Sequence, residues 1–293
     1  MFRVFVLFVV VGGAFVPLNA QRGRGGAPQG PPPVPRLAAP IDLTGYWVSL
    51  VTDDWRWRMV TPPKGDVLYV PVNAEGRRAA DAWDPAKDEA AAEQCRAYGA
   101  GGLMHLPGRL HIFWQDDATL VVEADAGTQT RVMHFGPNAQ TGAAPGNNVQ
   151  PSLQGYSVAQ WEFAGAPQRG GGGGGGAVGA IVAPGATAGA ATGAAARGDS
   201  GRGAPPRPQG GSLKVVTTHL KAGYLRKNGV PYSENTVVTE YFDRHNETNG
   251  DQWFTVTTIV EDAKYLQQPF ITSTHFKKEP DGAKWRPTAC SAS

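Results

Sequence analysis

Apolar and polar residues alternate along much of the chain, and this pattern predicts short β-strands. The segments are rich in β-branched and aromatic residues and are separated by polar or glycine-containing turns. The predicted strands cover residues 46–51, 55–60, 109–115, 119–124, 128–135, 158–163, 213–220, 236–242, 252–260 and 270–276. Asn228-Gly229 and Asn249-Gly250 are hairpin signals. Because a closed sheet has no exposed edges, we expect an antiparallel meander closed into a β-barrel.

One part of the chain has helical signals instead. Asp84 followed by Pro85 is typical of a helix N-terminus, and residues 86–98 are good helix formers that Gly99 would end in a left-handed conformation. A shorter helix is predicted over residues 74–83. We expect these one or two helices to cover the barrel.

The first 20 residues have the layout of a secretory signal peptide. Arg3 precedes an apolar run over residues 4–16, and small or polar residues follow up to Ala20. The run is shorter than the roughly 20 residues that span a bilayer. We therefore expect a periplasmic or secreted protein with no stable membrane insertion after signal cleavage; an uncleaved anchor is the alternative.

Two segments of biased composition divide the rest of the chain. Residues 21–40 are rich in Arg, Gly and Pro, and residues 165–211 include seven consecutive glycines, Gly170 to Gly176. Such segments cannot bury enough apolar surface to offset their backbone entropy, so both are predicted to be disordered. Residues 41–164 and 212–293 would then form a single discontinuous barrel domain.

Charge and cysteine content narrow the function classes. The 27 basic and 25 acidic residues leave a net charge of +2, which argues against a nucleic-acid partner. In an exported protein the two cysteines, Cys95 and Cys290, favour a disulfide. A nucleophilic thiol or a metal ligand is the alternative. No cofactor and no metal are predicted.

Two groups of motifs resemble known proteins. Gly45-Tyr46-Trp47 resembles the G-x-W motif that begins the first strand of lipocalin-like (calycin) barrels. This resemblance implies a ligand-carrying barrel whose Trp47 packs against a basic residue near the chain's end, here Arg286. The segments 93–95, 106–111, 238–243 and 256–262 resemble a group of exported β-rich proteins of soil bacteria, which supports fold and compartment only.

Polar side chains on apolar strand faces are the candidate catalytic residues. Strand alternation places Glu240 with Val238 and Phe242, and a carboxylate buried there demands a partner. If His111, His134 and His219 converged with Glu240, the group could act as acid and base on a ligand or bind a metal. Hydrogen bonding within the core is the alternative. Glu240 and His111 are the predicted catalytic pair.

Aromatic residues supply the candidate ligand site. In the segment from Trp55 to Met59, tryptophan and arginine alternate, so a strand would have one aromatic and one cationic face, although ordinary core packing gives the same pattern. The predicted ligand-binding residues are Trp55, Trp57, Trp114, Trp161, Tyr241, His134 and His219. The first hypothesis is therefore binding of an apolar or amphipathic small molecule in the barrel cavity. The alternatives are an enzyme that acts on a sugar or aromatic substrate, and a cell-envelope structural protein.

Overall fold

The structure is a computed structural model that describes residues 33–52, 55–136, 149–164 and 210–293. The described residues from Val34 onward form one compact unit. The predicted signal peptide, residues 21–32 of the predicted leader and residues 165–209 of the glycine-rich segment lie outside the described residues. The last part of the leader does have structure, because a short helix, α1 (Pro35–Ala38), lies within it.

Nine strands form a closed barrel, which confirms the predicted fold class. The strands in chain order are β1 (Gly45–Leu50), β2 (Arg109–Trp114), β3 (Thr119–Ala124), β4 (Gln129–Phe135), β5 (Tyr156–Phe163), β6 (Gly211–Thr218), β7 (Gly223–Arg226), β8 (Val230–Tyr232), β9 (Val237–Asn246), β10 (Gln252–Glu261) and β11 (Phe270–Glu279). The order around the barrel is β1-β11-β10-β9-β6-β5-β4-β3-β2, and β7 and β8 form a separate hairpin. Both blocks of the chain contribute strands to this barrel.

The barrel is not the pure antiparallel meander that the sequence predicts. Strands β4 and β5 pair in parallel, with Met133 opposite Ser157. A tight hairpin cannot join parallel strands, and 20 residues separate the end of β4 from the start of β5. Both predicted hairpin signals are confirmed, since Asn228-Gly229 joins β7 to β8 and Asn249-Gly250 lies between β9 and β10.

The strand predicted over residues 55–60 is wrong, because Trp55–Arg58 forms a helical turn, α2. Alternation over four residues does not distinguish a strand from a helical turn. The turn buries Arg58, whose Nε donates a hydrogen bond to the carbonyl oxygen of His105 and whose Nη1 donates to that of Leu50. Arg58 therefore satisfies the backbone carbonyl at the end of β1.

The helical segment is partly as predicted. Helix α3 (Ala74–Ala82) begins after Asn73, whose side chain accepts a hydrogen bond from Gly76 N. Helix α4 (Pro85–Ala90) is capped by Asp84, but it ends at Ala90 rather than continuing to residue 98. A 3-10 turn (Arg96–Tyr98) follows, and Gly99 is not left-handed; Ala92 adopts that conformation instead. The predicted disulfide is confirmed: Cys95 and Cys290 are bonded, which ties the C-terminal tail to this segment.

Large side chains fill the barrel at the end where β1 begins. Trp47 is fully buried there, and its ring packs edge-on against Phe254, which stacks on Phe276. The cation beside Trp47 is Lys278, with Nζ 5.4 Å from the ring centre, and not Arg286, which is exposed. The reason is register, because Lys278 lies directly opposite Trp47 across β1 and β11.

Candidate functional site

Glu240 faces the barrel interior, where it is fully buried against Arg131. Arg131 Nη1 donates to Glu240 Oε1 at 3.0 Å and Nη2 to Oε2 at 2.6 Å. Nη2 also lies 3.2 Å from Thr217 Oγ1, and both charged side chains have an exposure of 0%. The sequence indicated that Glu240 needs a partner but missed Arg131. Because both carboxylate oxygens are occupied, Glu240 is a structural group in this arrangement.

His111 lies on the opposite face of the barrel wall from Glu240. On the outer surface its Nδ1 is 3.0 Å from Glu123 Oε2, and its ring stacks on Tyr46 with centres 4.2 Å apart. The predicted catalytic pair is therefore not brought together. The physical reason is the strand register, which places His111 opposite Tyr46 and Glu123 and turns its neighbours Leu110 and Ile112 inward.

The other predicted polar residues are also dispersed. His134 stacks on Tyr156 with ring centres 4.7 Å apart, and burial lowers its pKa although Asp116 opposes that shift. His219 follows β6 and its Nδ1 lies 2.9 Å from Thr218 Oγ1. Tyr241 is half-buried, with Lys214 Nζ 5.5 Å from its ring centre. The three histidines do not converge with Glu240, which is the arrangement that an acid–base or metal site would need, and the described segments hold no group of three potential metal ligands.

The predicted tryptophans divide between the two ends of the barrel. Trp114 and Trp161 lie 6.4 Å apart, with Phe135 in contact with both, at the end where β1 begins. Trp57 lies at the opposite end, and Trp55 in the same helical turn is 60% exposed. These residues therefore cannot line a single cavity.

A pocket of about 360 Å³, here called the rim pocket, lies beside the start of β11. Its lining residues are Trp57, Tyr69, His105, Arg226, Phe270, Ile271, Thr272, Ser273 and His275. The rings of Trp57 and Tyr69 meet edge to face with centres 5.2 Å apart. The volume is in the range of small-molecule sites, and the lining combines aromatic rings with polar side chains that could orient a ligand.

Two lining residues of the rim pocket, Tyr69 and Ile271, expose large apolar side chains, and four more such side chains lie within three residues of Trp57 or Tyr69 in the sequence. Six of the eight large apolar side chains that the described residues expose are Trp55, Met59, Val60, Leu68, Tyr69 and Ile271. Tyr69 is 73% exposed and has a φ of 65°, which is rare for a bulky residue. Strained backbone of this kind is concentrated at functional sites, so both observations mark the same surface.

His105 is the unusual polar group of the rim pocket. Within the described part of the chain, neither ring nitrogen has a hydrogen-bond partner. Burial lowers the pKa of His105 to about 4, and the charges of Arg58 and Arg226 add to that shift. The imidazole is therefore neutral near pH 7, with one nitrogen able to donate and the other able to accept. No sequence pattern indicated this residue, because its surroundings come from segments far apart in the chain.

Arg226 forms part of the floor of the rim pocket. Its Nη1 donates to the carbonyl oxygen of Leu68 at 2.9 Å, and its guanidinium carbon lies 5.6 Å from the ring centre of Trp57. Phe270 flanks the same guanidinium at 6.0 Å. The cation therefore holds the loop around Tyr69 against the aromatic wall.

Comparison with known proteins gives no information on the site. No family model, no curated protein and no solved structure matches the chain. Across the described ranges, none of the helices has the length and apolar character needed to cross a bilayer.

Proposed function

We propose that this protein is an exported binder of a small, neutral, amphipathic aromatic molecule, which occupies the rim pocket. The observation that carries the proposal is the pair of buried imidazole nitrogens of His105, which have no hydrogen-bond partner among the described residues and belong to a pocket that Trp57, Tyr69 and Phe270 also line. The proposed ligand site is at the rim and not inside the barrel, where Trp47, Phe254 and Phe276 fill the end at which β1 begins.

The aromatic walls supply the apolar part of the recognition. Trp57, Tyr69 and Phe270 present ring surfaces to the pocket, and an aromatic ligand would bury them together with its own faces. Because Tyr69 is mostly exposed without a ligand, binding would remove apolar surface from water.

The imidazole of His105 supplies the polar part. An unsatisfied buried donor or acceptor costs about 1–3 kcal/mol, which a ligand hydroxyl or amide would relieve. A hydroxyl matches a neutral imidazole because it can both donate and accept. The Cys95–Cys290 disulfide supports the exported location, since disulfides persist in oxidising compartments.

Fluorine NMR of protein labelled with 5-fluorotryptophan tests the proposal, with 2-naphthol as the probe. We expect 2-naphthol to shift the resonance of Trp57, one of eight tryptophans, and to leave that of Trp285 unchanged. Replacing the side chain by Trp57→Ala should weaken 2-naphthol binding about tenfold or more. Trp285→Ala is the matched control, because Trp285 packs on Tyr46 on the outer face of the barrel.

Naphthalene, which lacks the hydroxyl, tests the polar contact. The wild type should bind 2-naphthol more tightly than naphthalene, and His105→Ala should reduce this preference. The proposal fails if the Trp57 resonance does not move at about 1 mM 2-naphthol, a concentration that detects even weak binding. It also fails if Trp57→Ala and Trp285→Ala weaken binding equally.

A further inference from the structure

The opposite end of the barrel holds a second and larger cleft, independent of the rim pocket. Helix α1 lies across this end: Arg36 N donates to the carbonyl oxygen of Asp117 at 3.1 Å, and Trp161 Nε1 donates to that of Pro35 at 2.8 Å. Between this segment and the barrel lies a cleft of about 830 Å³, here called the end cleft. Its lining includes Arg36, Asp42, Trp114, Arg244 and Asn246.

We infer that the end cleft is a binding site for a small aromatic carboxylate, held between the guanidinium groups of Arg36 and Arg244 and the ring of Trp114. This site goes beyond the proposed function, since it shares no lining residue with the rim pocket and selects a ligand of different charge.

Two cations without carboxylate partners carry the inference. Among the described residues, no carboxylate oxygen lies within 4.0 Å of either Arg36 or Arg244, whereas Arg131 and Arg109 each have such a partner. Arg244 Nη2 makes a long contact of 3.4 Å with Asn246 Oδ1, and Arg244 Nε is buried with no acceptor in the described structure. A buried guanidinium N–H without an acceptor is costly, and a carboxylate is the acceptor that arginine geometry suits best.

Asp42, the acidic residue of the lining, forms no ion pair within 4.0 Å with either arginine in the described structure and is already hydrogen-bonded to Thr44. Its Oδ1 already accepts hydrogen bonds from Thr44 N at 2.9 Å and Thr44 Oγ1 at 2.7 Å. Burial acts to raise the pKa of Asp42, but the bonds from Thr44 and the charges of Lys278 and Arg244 outweigh it, so the pKa is lowered. The lining of the end cleft therefore has one ionised carboxylate, Asp42, and two cations, Arg36 and Arg244.

Trp114 gives the site its preference for a ring. It is half-buried at the inner side of the cleft, and Phe135 supports it with ring centres 5.4 Å apart. A planar ligand can stack on this wall while its carboxylate reaches the guanidinium groups. A simple inorganic anion would use the cations but leave the indole uncovered.

The fluorotryptophan-labelled full chain tests this site with 2-naphthoate, and inorganic phosphate is the second probe. We expect 2-naphthoate to shift the Trp114 resonance and to bind at least tenfold more tightly than phosphate. Arg244→Gln and Arg36→Gln should each weaken 2-naphthoate binding about tenfold. Arg78→Gln removes an exposed arginine of α3 and should change nothing.

The outcomes separate the two sites. Because Arg36 is exposed, Arg36→Gln keeps the test valid even if Arg244→Gln disturbs the barrel end. Trp57→Ala should leave 2-naphthoate binding at Trp114 unchanged, so failure of the rim pocket does not affect this result. The inference is overturned if 2-naphthoate moves only the Trp57 resonance, if both arginine variants bind like the wild type, or if phosphate competes equally well.

Discussion

The barrel interior and the rim pocket each bury the polar atoms of a titratable side chain. These atoms have hydrogen-bond partners at Glu240 in the interior and have none within the described structure at His105 in the rim pocket. In the interior, Glu240 has 0% exposure and both of its oxygens accept hydrogen bonds from Arg131. At the rim, His105 is partly buried, and both of its ring nitrogens are buried without a bond to any described residue. Burial of a polar group alone therefore does not mark a binding site. At His105 the missing partners coincide with an open pocket, where a ligand can supply them.

The aromatic side chains differ between these regions in the same way. Trp47, Phe254 and Phe276 are buried against one another, and Trp47 Nε1 donates to the carbonyl oxygen of Leu43 at 2.8 Å. Trp57 and Tyr69 contact each other but leave ring surface open to the pocket. The interior is thus complete in itself, whereas the rim has apolar surface for a second molecule.

Breaking the interior pair should have the largest effect. Arg131→Met leaves the carboxylate of Glu240 buried without its cation, and we expect a loss of about 3–5 kcal/mol in the free energy of unfolding. Urea denaturation at pH 7 measures this loss.

The double variant Arg131→Met/Glu240→Leu separates charge burial from packing. Replacing both partners removes the uncompensated charge, so most of the lost stability should return. A double variant no more stable than Arg131→Met would contradict the view that the pair is a closed structural unit.

The rim should instead show a pH-dependent effect at His105. The ordinary pKa of histidine is 6.5, and in the folded chain it is about 4. Well above pH 6.5 the side chain is neutral in both the folded and the unfolded chain, so protonation of His105 does not reduce the free energy of unfolding. As the pH falls from 6.5 to 4, the unfolded chain takes up a proton that the folded chain does not, which costs about 2–3 kcal/mol.

The comparison of wild type with His105→Gln isolates this contribution from other titrating groups. The free energy of unfolding should fall more steeply between pH 6.5 and 4 in the wild type than in His105→Gln. If both proteins lose the same stability over this range, the imidazole is not held neutral by its surroundings.

The sequence predicted the strands well because their burial pattern is local. Alternation placed Glu240 on an apolar face with Val238 and Phe242, as the structure has it. Its partner could have been found by the same rule, since Arg131 shares a strand face with Met133 and Phe135. Because a buried charge is costly unless it is paired, a cation on one apolar strand face and a carboxylate on another are predicted to be partners.

The rim pocket could not be predicted in this way. Trp57, His105 and Arg226 come from three segments that are at least 48 residues apart in the chain, and they meet only because the segments between the strands fold against the barrel. Alternation also failed at α2, where Arg58 binds two backbone carbonyls that only the folded structure brings near. Sequence periodicity therefore gives the barrel, while the site depends on tertiary contacts between irregular segments.

Replacing a charged residue on the outer face of the barrel should have the smallest effect on the free energy of unfolding. His111 and Glu123 form a pair at 3.0 Å, but their side chains are 27% and 38% exposed. Water screens such a pair, so Glu123→Gln should change the free energy of unfolding by less than about 1 kcal/mol. Urea denaturation of Glu123→Gln and Arg131→Met under the same conditions compares the two losses of unfolding free energy. If Glu123→Gln cost as much as Arg131→Met, solvent exposure would not be what separates the two pairs, and the division between a closed interior and an open surface would fail.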